Sequence, residues 1–319
     1  MSLTNFDIFN KWTQLTSTEI VDQQTNLWNS ATRNALTLVS AADNAGDYAE
    51  KSSYALMAGL YGNRDPSSVA ALASTPLATL KEAAVKVGMG SLPMEYTGSA
   101  FDWTKRDPRE AGIAFGEQVG AAKFQYMLNS ALAGIVGAIT NVGVTAVHDG
   151  TAATANLGAL NQGARLFGDR AASLVTWIMH SKSLHDIYGD SLTNTGRLFE
   201  FETIQVVQDG FGRMLVMTDS PALFFDNAGT DNYYQVGLTA GGVMMEDNGD
   251  SRVYTETRTE FDNAKQLMKE EASFNLGLKG YTWNTAVVQP DDAALALGTN
   301  WVQSATSLKD TAGIIAQTL

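Results

Sequence analysis

The stretch DPREAGIAFGEQVGAAKFQYMLNSALAGIVGAITN, residues 107–141, predicts one long helix with a well-defined start. Asp107 can cap the free backbone N–H groups, Pro108 suits the first helical position, and Glu110 has the spacing of a capping box. Apolar residues then recur at the three- and four-residue spacing of helix faces: Phe115, Val119, Ala122, Phe124, Tyr126, Leu128, Ala131, Leu132, Ile135 and Ile139. At about 1.5 Å per residue this helix is roughly 50 Å long, which predicts an elongated subunit.

The second half of this helix is apolar enough to raise the alternative of a membrane span. No Asp, Glu, Lys or Arg occurs between Lys123 and Asp149. The stretch nevertheless carries five polar residues: Gln125, Asn129, Ser130, Thr140 and Asn141. Because no basic cluster flanks it either, we expect a helix buried by sheet and neighbouring subunits rather than by lipid. Gly134 and Gly137 would allow close backbone approach, although each costs roughly 1 kcal/mol in helix propensity.

The composition indicates a folded protein that does not read nucleic acid. Of its 319 residues, 45% are hydrophobic and 17% charged, and 21 basic against 34 acidic residues give a net charge of −13. Such a surface is not built to neutralise phosphates. The chain has no cysteine, which excludes disulfides and thiolate metal sites and fits a reducing cytoplasm. The first twelve residues lack the basic start and apolar core of a signal peptide, so we do not expect export.

Residues 1–38 are polar but punctuated by large apolar side chains. We expect an arm that lies across another surface through Phe6, Phe9, Trp12 and Trp28. The alternative is a short amphipathic helix packed on its own domain. Composition alone leaves both open.

Residues 36–57, LTLVSAADNAGDYAEKSSYALM, predict a β-hairpin. Two strand-like runs flank the turn-prone Asp43, Asn44, Ala45 and Gly46. Because the flanking runs have little apolar surface to bury, we expect this hairpin to project and to find its partner on another subunit.

The rest of the chain alternates helical and strand-like segments. Residues 67–84 have helical spacing, and residues 85–103 alternate like a strand. After the long helix, a helix is expected to end near Gly168, followed by a buried strand at 174–179 and a short helix capped by Ser181. GRMLVMTDSPALF, residues 212–224, predicts a strand and a proline turn, and Asn248–Gly249 is the strongest hairpin signal in the chain. The fold class expected is therefore α+β.

Reactive groups do not form a recognisable catalytic or metal-binding pattern. His148, His180 and His185 show no zinc spacing, and Ser181, His180 and Asp219 lack the G-x-S-x-G elbow of a hydrolase triad. Asp247, Asn248 and Asp250 suggest a calcium loop, but the required glycine and terminal glutamate are missing. We therefore expect no catalytic, metal or cofactor-binding residues, no cofactor, and no enzyme activity.

The order of these segments resembles that of the major capsid proteins of tailed bacteriophages, which have the Hong Kong 97-type fold. The resemblance rests on GARLFGDRAASLVTWIMHSKSLHDIY, on GRMLVMTDSPALF, which is similar to the family's G-R-x-V-x-x-D-D-x-x-P strand and turn, and on the closing TNWVQSATSLKDTAGI. The chain departs from the family at Thr218–Asp219, where two acids are common. Members are built from four parts, which here would be an N-terminal arm (1–38), an extended loop hairpin (39–75), a peripheral domain (76–145 and 240–285) holding the spine helix 107–141, and an axial domain with the C-terminal segment (146–239 and 286–319).

The resemblance implies a shell protein that assembles into pentamers and hexamers around double-stranded DNA, without sequence-specific binding and without a membrane. Self-assembly would use the arm residues named above and the tip of the extended loop: Asp43, Asn44, Ala45, Gly46, Asp47 and Tyr48. Partners would be other copies, a portal, and decoration or scaffolding proteins, with assembly in the host cytoplasm and a final place in the virion capsid. Some family members cross-link a loop lysine, but nothing near Lys51 identifies a partner, so we expect non-covalent assembly. Two alternatives remain: an encapsulin-like nanocompartment shell, and an α/β hydrolase-like enzyme, which would need a convergent polar site.

Overall fold

The computed structural model describes residues 3–40, 46–54, 79–97, 107–191, 198–201, 204–208, 212–260 and 264–319, and the isolated positions 63, 66, 67 and 77. The α-helices in these ranges are α1 (Leu3–Ala31), α2 (Pro108–Val142), α3 (Leu157–Arg165), α4 (Ser181–Ser191) and α5 (Asp292–Ala296). Helix α2 is called the spine helix below.

The first sheet has seven strands within the described residues, in the order β1-β12-β14-β3-β2, with β4 and β13 also paired to β14. Their bounds are β1 (Leu36–Ser40), β2 (Tyr48–Tyr54), β3 (Thr79–Gly90), β4 (Met94–Thr97), β12 (Val243–Asp247), β13 (Arg252–Arg258) and β14 (Lys265–Leu278). All the pairings are antiparallel except that of β1 with β12.

The second sheet has eight strands within the described residues, in the order β5-β17-β11-β6-β9-β8-β7, with β10 also paired to β11. Their bounds are β5 (Val147–Gly150), β6 (Leu174–Met179), β7 (Leu198–Phe201), β8 (Ile204–Gln208), β9 (Met214–Met217), β10 (Phe224–Asn227), β11 (Thr230–Thr239) and β17 (Gly313–Thr318). A two-stranded sheet joins β15 (Tyr281–Trp283) to β16 (Trp301–Gln303).

The spine helix forms where the sequence predicts it. Asp107 accepts a hydrogen bond from the backbone N–H of Arg109 at 3.3 Å, and Pro108 is the first helical residue. Its second half is the centre of the main hydrophobic core, where Met127, Leu132 and Ile135 are fully buried. That core includes side chains from both large sheets. The helix with its following turn, Pro108–Thr145, is long and apolar enough to cross a membrane, but most of its apolar surface is already covered by its own chain.

The predicted close backbone approach is confirmed at Gly137, where an added Cβ would collide with the carbonyl oxygen of Ala296. At Gly134 the neighbours are side chains, since an added Cβ would lie 3.3 Å from the Trp301 ring. The segment after α5 therefore runs in direct backbone contact with the spine helix.

Residues predicted as an arm form the 29-residue helix α1, which packs on the spine helix of the same chain. Three spine glycines at four-residue intervals make the contact. A Cβ on Gly112 would lie 2.7 Å from the Phe9 oxygen, on Gly116 2.6 Å from the Thr13 oxygen, and on Gly120 2.8 Å from the Ser17 oxygen. Because both residue numbers rise together, the two helices run parallel. The alternative of a helix packed on its own domain is thus the correct one, although this helix is long.

The hairpin predicted for residues 36–57 is wrong. Strand β1 pairs with β12 and β2 pairs with β3, so the two runs lie at opposite edges of the first sheet. Leu36 and Leu38 are buried, which stabilises β1 against the core instead of against its sequence neighbour. Residues 79–84, predicted as helix, belong to β3; most of the remainder of 67–84 lies outside the described residues.

The hairpin predicted at Asn248–Gly249 is also wrong. Strands β12 and β13 pair with successive parts of the same strand β14, so this dipeptide joins two strand segments on one side of it. Gly249 has φ +66°, which explains the glycine. Asn248 is buried and its amide pairs with the amide of Asn275 at 2.9 Å.

The alternation predicted after the spine helix is confirmed. Strand β6 covers Leu174–Met179, α4 begins at Ser181, and β9 is followed by a short 3-10 turn that starts at Pro221. Strand residues of the second sheet alternate between the main core and a smaller core under α3 and α4. Strands β6, β9 and β17 are therefore buried on both faces.

Replacing Gly116 by Ala should lower the free energy of unfolding by about 1–3 kcal/mol, because the added methyl group must push α1 away from the spine helix. The matched control is Gly189→Ala in α4, where nothing lies within 4 Å of the added Cβ. That variant should be unchanged or stabilised by roughly 0.5–1 kcal/mol. Chemical denaturation of unassembled subunits compares the two; equal stability of both variants would contradict the close packing.

Candidate functional site

The predicted arm residues pack inside the chain. Phe9 is buried beside Tyr96, with ring centroids 4.6 Å apart, and Trp28 is buried with its ring edge on Phe124. Neither side chain is therefore left to contact another subunit, which corrects their assignment to assembly. The side chain of Phe6 lies outside the described residues.

Trp12 is half-buried and has a cationic partner in its own chain. The Arg109 guanidinium lies 4.1 Å from the Trp12 ring centroid, a cation–π contact between α1 and the first turn of the spine helix. The large apolar side chains that α1 exposes in the described residues are Ile8, Leu15 and Leu27, which are not among the four predicted contacts.

One residue of the predicted loop tip, Tyr48, is the first residue of strand β2. Asp43, Asn44 and Ala45 lie outside the described residues, while Gly46 and Asp47 are exposed. Tyr48 begins β2, and its hydroxyl lies 3.0 Å from the carbonyl oxygen of Thr285 and 3.2 Å from that of Val287. Tyr48 therefore anchors the strand to the body of the subunit and is not part of a projecting tip.

Ser181, His180 and Asp219 do come together, at the N-terminus of α4. The Ser181 hydroxyl lies 3.4 Å from His180 Nδ1, and His180 Nε2 lies 3.6 Å from Asp219 Oδ1. The N–H of Lys182 donates to His180 Nδ1, and the N–H of Ser181 donates to Asp219 Oδ1, both at 3.2 Å. His180 Nδ1 and Asp219 Oδ1 thus accept from the first two backbone N–H groups of α4, and the cluster caps the helix.

The acidic residues of the supposed calcium loop are engaged within the chain. Asp247 accepts from the N–H of Gly249 at 2.9 Å, and Asp250 accepts from the N–H and hydroxyl of Ser273 at 2.8 and 2.6 Å. Burial opposes ionisation of Asp250, but the hydrogen bonds from Ser273 outweigh it and lower its pKa. In the part of the chain that the structure describes, no group of three His, Asp or Glu side chains could hold a metal ion.

A groove of about 310 Å³ lies between the spine helix and the first sheet. Its lining is mostly apolar and includes Met89, Met94 and Val119. Its charges are paired, since Lys123 Nζ lies 3.1 Å from Glu270 Oε1. The groove offers apolar contact area and no reactive group.

A family model described as Gp13-like, major capsid protein 13-like, matches residues 5–315. The chain belongs to this major capsid protein family. No match was found among curated protein sequences.

Solved structures share the fold of this capsid protein at low identity. A chain from Mycobacterium phage Adephagia has a TM-score of 0.56 and 12% identity, with 90% of this chain and 89% of that chain covered. A chain of the cyanophage Pam1 capsid asymmetric unit has a TM-score of 0.51 and 10% identity, covering 89% and 88%. The head structure of Helicobacter pylori bacteriophage KHP40 gives 0.50 and 10%, covering 91% and 87%. The common features are a mixed helix-and-sheet fold over nearly the whole length.

The family assignment makes this capsid protein a structural component of a virion shell. Among the predicted assembly residues that the structure describes, Gly46 and Asp47 are exposed. The polar cluster at α4 caps the helix through His180 and Asp219, whereas the sequence predicted Ser181 as the cap; Ser181 is instead the first helical residue.

Replacing Asp219 by Ala should lower the free energy of unfolding by about 1 kcal/mol, because α4 loses a capping acceptor. Hydrogen bonding from Ser181 holds the pKa of Asp219 below its usual value, so the carboxylate contributes its stability above the unfolded pKa. The difference from the wild type should therefore be full near pH 7 and shrink as the pH falls below about 4. Chemical denaturation of the wild type and the variant near pH 7 and below pH 4 measures this difference in the free energy of unfolding. A difference that grows in acid would contradict this role.

Proposed function

We propose that the chain is the Hong Kong 97-type major capsid protein of a tailed bacteriophage, which assembles through pentamers and hexamers into an icosahedral head. The single observation that carries the proposal is the family match over residues 5–315. The assembly is interfacial and involves no catalysis. One sequence must make heterologous contacts that close into rings of two sizes.

The two large sheets support the proposed division into domains. Strands of the first sheet fall mainly in 79–97 and 243–278, near the proposed peripheral ranges 76–145 and 240–285. Strands of the second sheet fall in 147–239 and 313–318, near the proposed axial ranges 146–239 and 286–319. The spine helix contributes to the core of both, so it is the element that would transmit orientation between them.

The proposed extended loop, residues 39–75, is supported by the pairing of strand β2 rather than by a turn at Asp43–Gly46. Strand β2 pairs with β3 from Tyr48 to Tyr54, and Tyr48 fixes its start. We retain Gly46 and Asp47 as assembly candidates. We no longer propose Phe9, Trp28 and Tyr48 for assembly, because their side chains stabilise the subunit itself.

The shell would enclose double-stranded DNA without reading its sequence. At a net charge of −13, each subunit repels a polyanion unless its acidic groups face outward or lie in interfaces. Packaging and closure would be supplied by a portal and by scaffolding or decoration proteins, with assembly in the host cytoplasm.

Purified protein should form closed particles tens of nanometres across, or ring-shaped capsomers, because a shell subunit must associate with copies of itself. Light scattering and electron microscopy across a range of salt and protein concentration measure this. A protein that stays monomeric throughout would refute the proposal. Particles of a virion-like size that enclose proteins instead of DNA when isolated from the source would favour the nanocompartment alternative.

Unassembled subunits should bind double-stranded DNA only weakly at near-physiological salt, with a dissociation constant no tighter than the non-specific range of about 10⁻⁴ to 10⁻⁶ M. The reason is the acidic surface. A fluorescence titration with two unrelated DNA sequences measures both affinity and selectivity, and the same protein at low salt controls for electrostatic attraction. Tight and sequence-selective binding would argue for a nucleic-acid-binding module.

A further inference from the structure

Three strands form a ribbon at one end of the first sheet. Residues 265–271 of β14 lie in the middle, with β4 on one side and β13 on the other. We call this unit the ribbon. Side chains alternate between its two faces, so Tyr254 of β13 shares a face with its partner Lys269, and Gln266 lies on the other face.

The inner face of the ribbon is fixed to the helices. Tyr96 of β4 lies against Phe9 of α1, and its hydroxyl is 2.7 Å from both Asn10 Oδ1 and Gln266 Oε1. Glu270 reaches the spine helix through Lys123. The ribbon is therefore rigidly mounted, and its outer face and edge have a defined position on the subunit.

The outer face is charged with both signs. Three ion pairs lie on it: Lys265–Glu95, Lys269–Glu271 and Arg258–Glu256. At its centre on β13, Tyr254 is 51% exposed, an unusual state for a large aromatic side chain.

Strand β13 is the edge of the ribbon, since within the described ranges it pairs with β14 alone. Its sequence, RVYTETR, is rich in β-branched and aromatic residues and contains no proline, glycine or lysine. Proline, bulges and charged side chains, lysine above all, are the usual devices that protect an edge strand from pairing. The charges of β13 are of both signs, so they oppose pairing only in a register that places like charges opposite each other. An edge in regular register, without proline or lysine, is suited to accept another strand.

We propose that β13 pairs antiparallel with β13 of a second copy about a two-fold axis through Tyr254, which extends the first sheet across two subunits. The proposal rests on the capsid function. Residues directly opposite each other in such a pair share a face. The two Tyr254 side chains then meet at the axis, and Arg252 of each copy lies opposite Glu256 of the other.

Charge selects this register over its neighbours. A two-fold axis perpendicular to the sheet must pass midway between the two copies of one residue of β13. Each register is therefore defined by the residue at the axis, and few registers exist. With Thr255 on the axis, Arg252 faces Arg258; with Glu256 on the axis, the two Glu256 side chains face each other. Like charges directly opposite are destabilising. Among registers that overlap five or more residues of β13, only that centred on Tyr254 pairs opposite charges throughout.

A single cysteine tests the axis directly, because the natural chain contains none and any disulfide must join two copies. In the proposed pair, Tyr254→Cys brings two Cα atoms to about 4.5–5.5 Å, within the range of a disulfide. Its control is Thr257→Cys on the same strand, whose two copies lie about 20 Å apart at roughly 3.3 Å per residue. Mild oxidation of assembled particles should convert most of the Tyr254→Cys protein, and little of the control, to a covalent dimer on a non-reducing gel.

Charge reversal gives a second readout that does not depend on oxidation. Arg252→Glu and Glu256→Arg should each weaken association at least tenfold by sedimentation velocity, and the double variant should recover most of the loss because both opposite pairs are restored. Thermal unfolding of the unassembled variants separates this from misfolding. Particles that form normally while Tyr254→Cys fails to cross-link, or cross-links no better than Thr257→Cys, would overturn the two-fold pair alone. A protein that forms no particles in any variant, including the wild type, would instead refute the capsid function.

Discussion

The architecture depends on the backbone contact between α1 and the spine helix. Gly112, Gly116 and Gly120 remove every side chain from one stripe of the spine helix, so that carbonyl oxygens of α1 reach positions where a Cβ would otherwise stand. Thr13 reinforces the contact, since its hydroxyl lies 3.2 Å from the Gly112 carbonyl oxygen. The spine helix thereby gains a parallel companion along its first half, and its second half is left to the sheets. Phe9 and Asn10 of α1 then contact Tyr96 of the ribbon. The position of the ribbon therefore depends on the close packing of α1 at the three glycines.

Strong local patterns were predicted well because they depend on residues close in sequence. The cap at Asp107, the apolar stripes of the spine helix, the buried strand Leu174–Met179 and the helix start at Ser181 all follow from spacing alone. Helix α1 was harder, since its buried face includes Thr13, Thr16 and Ser17, which are polar by type and buried only because they meet glycines. The four-residue interval of Gly112, Gly116 and Gly120 was visible in the sequence and is the signal that could have identified the contact.

Strand pairing and the site were only partly predictable because turn propensity does not specify a partner. Asn248–Gly249 has a strong turn signature, yet Asn248 forms an amide pair with Asn275, and both flanking strands follow β14. Likewise the run at Leu36 finds its partner more than 200 residues away at Val243. For the same reason Tyr48, assigned to a loop tip by sequence, is held by Thr285 and Val287. Ser181, His180 and Asp219 show the reverse case, in which residues that sequence reasoning set aside do meet but serve the backbone of a helix.

Strand β14 has a mechanical consequence. Over 14 residues it is bonded to β12 and β13 along one side and to β3 and β4 along the other. A force along this strand would load all of those hydrogen bonds in shear at the same time. A force perpendicular to the strand would break them one after another. The first sheet is therefore stiff in one direction and compliant in the other. A shell built from such subunits resists stretching along the direction of β14 far better than it resists separation of the strands perpendicular to β14.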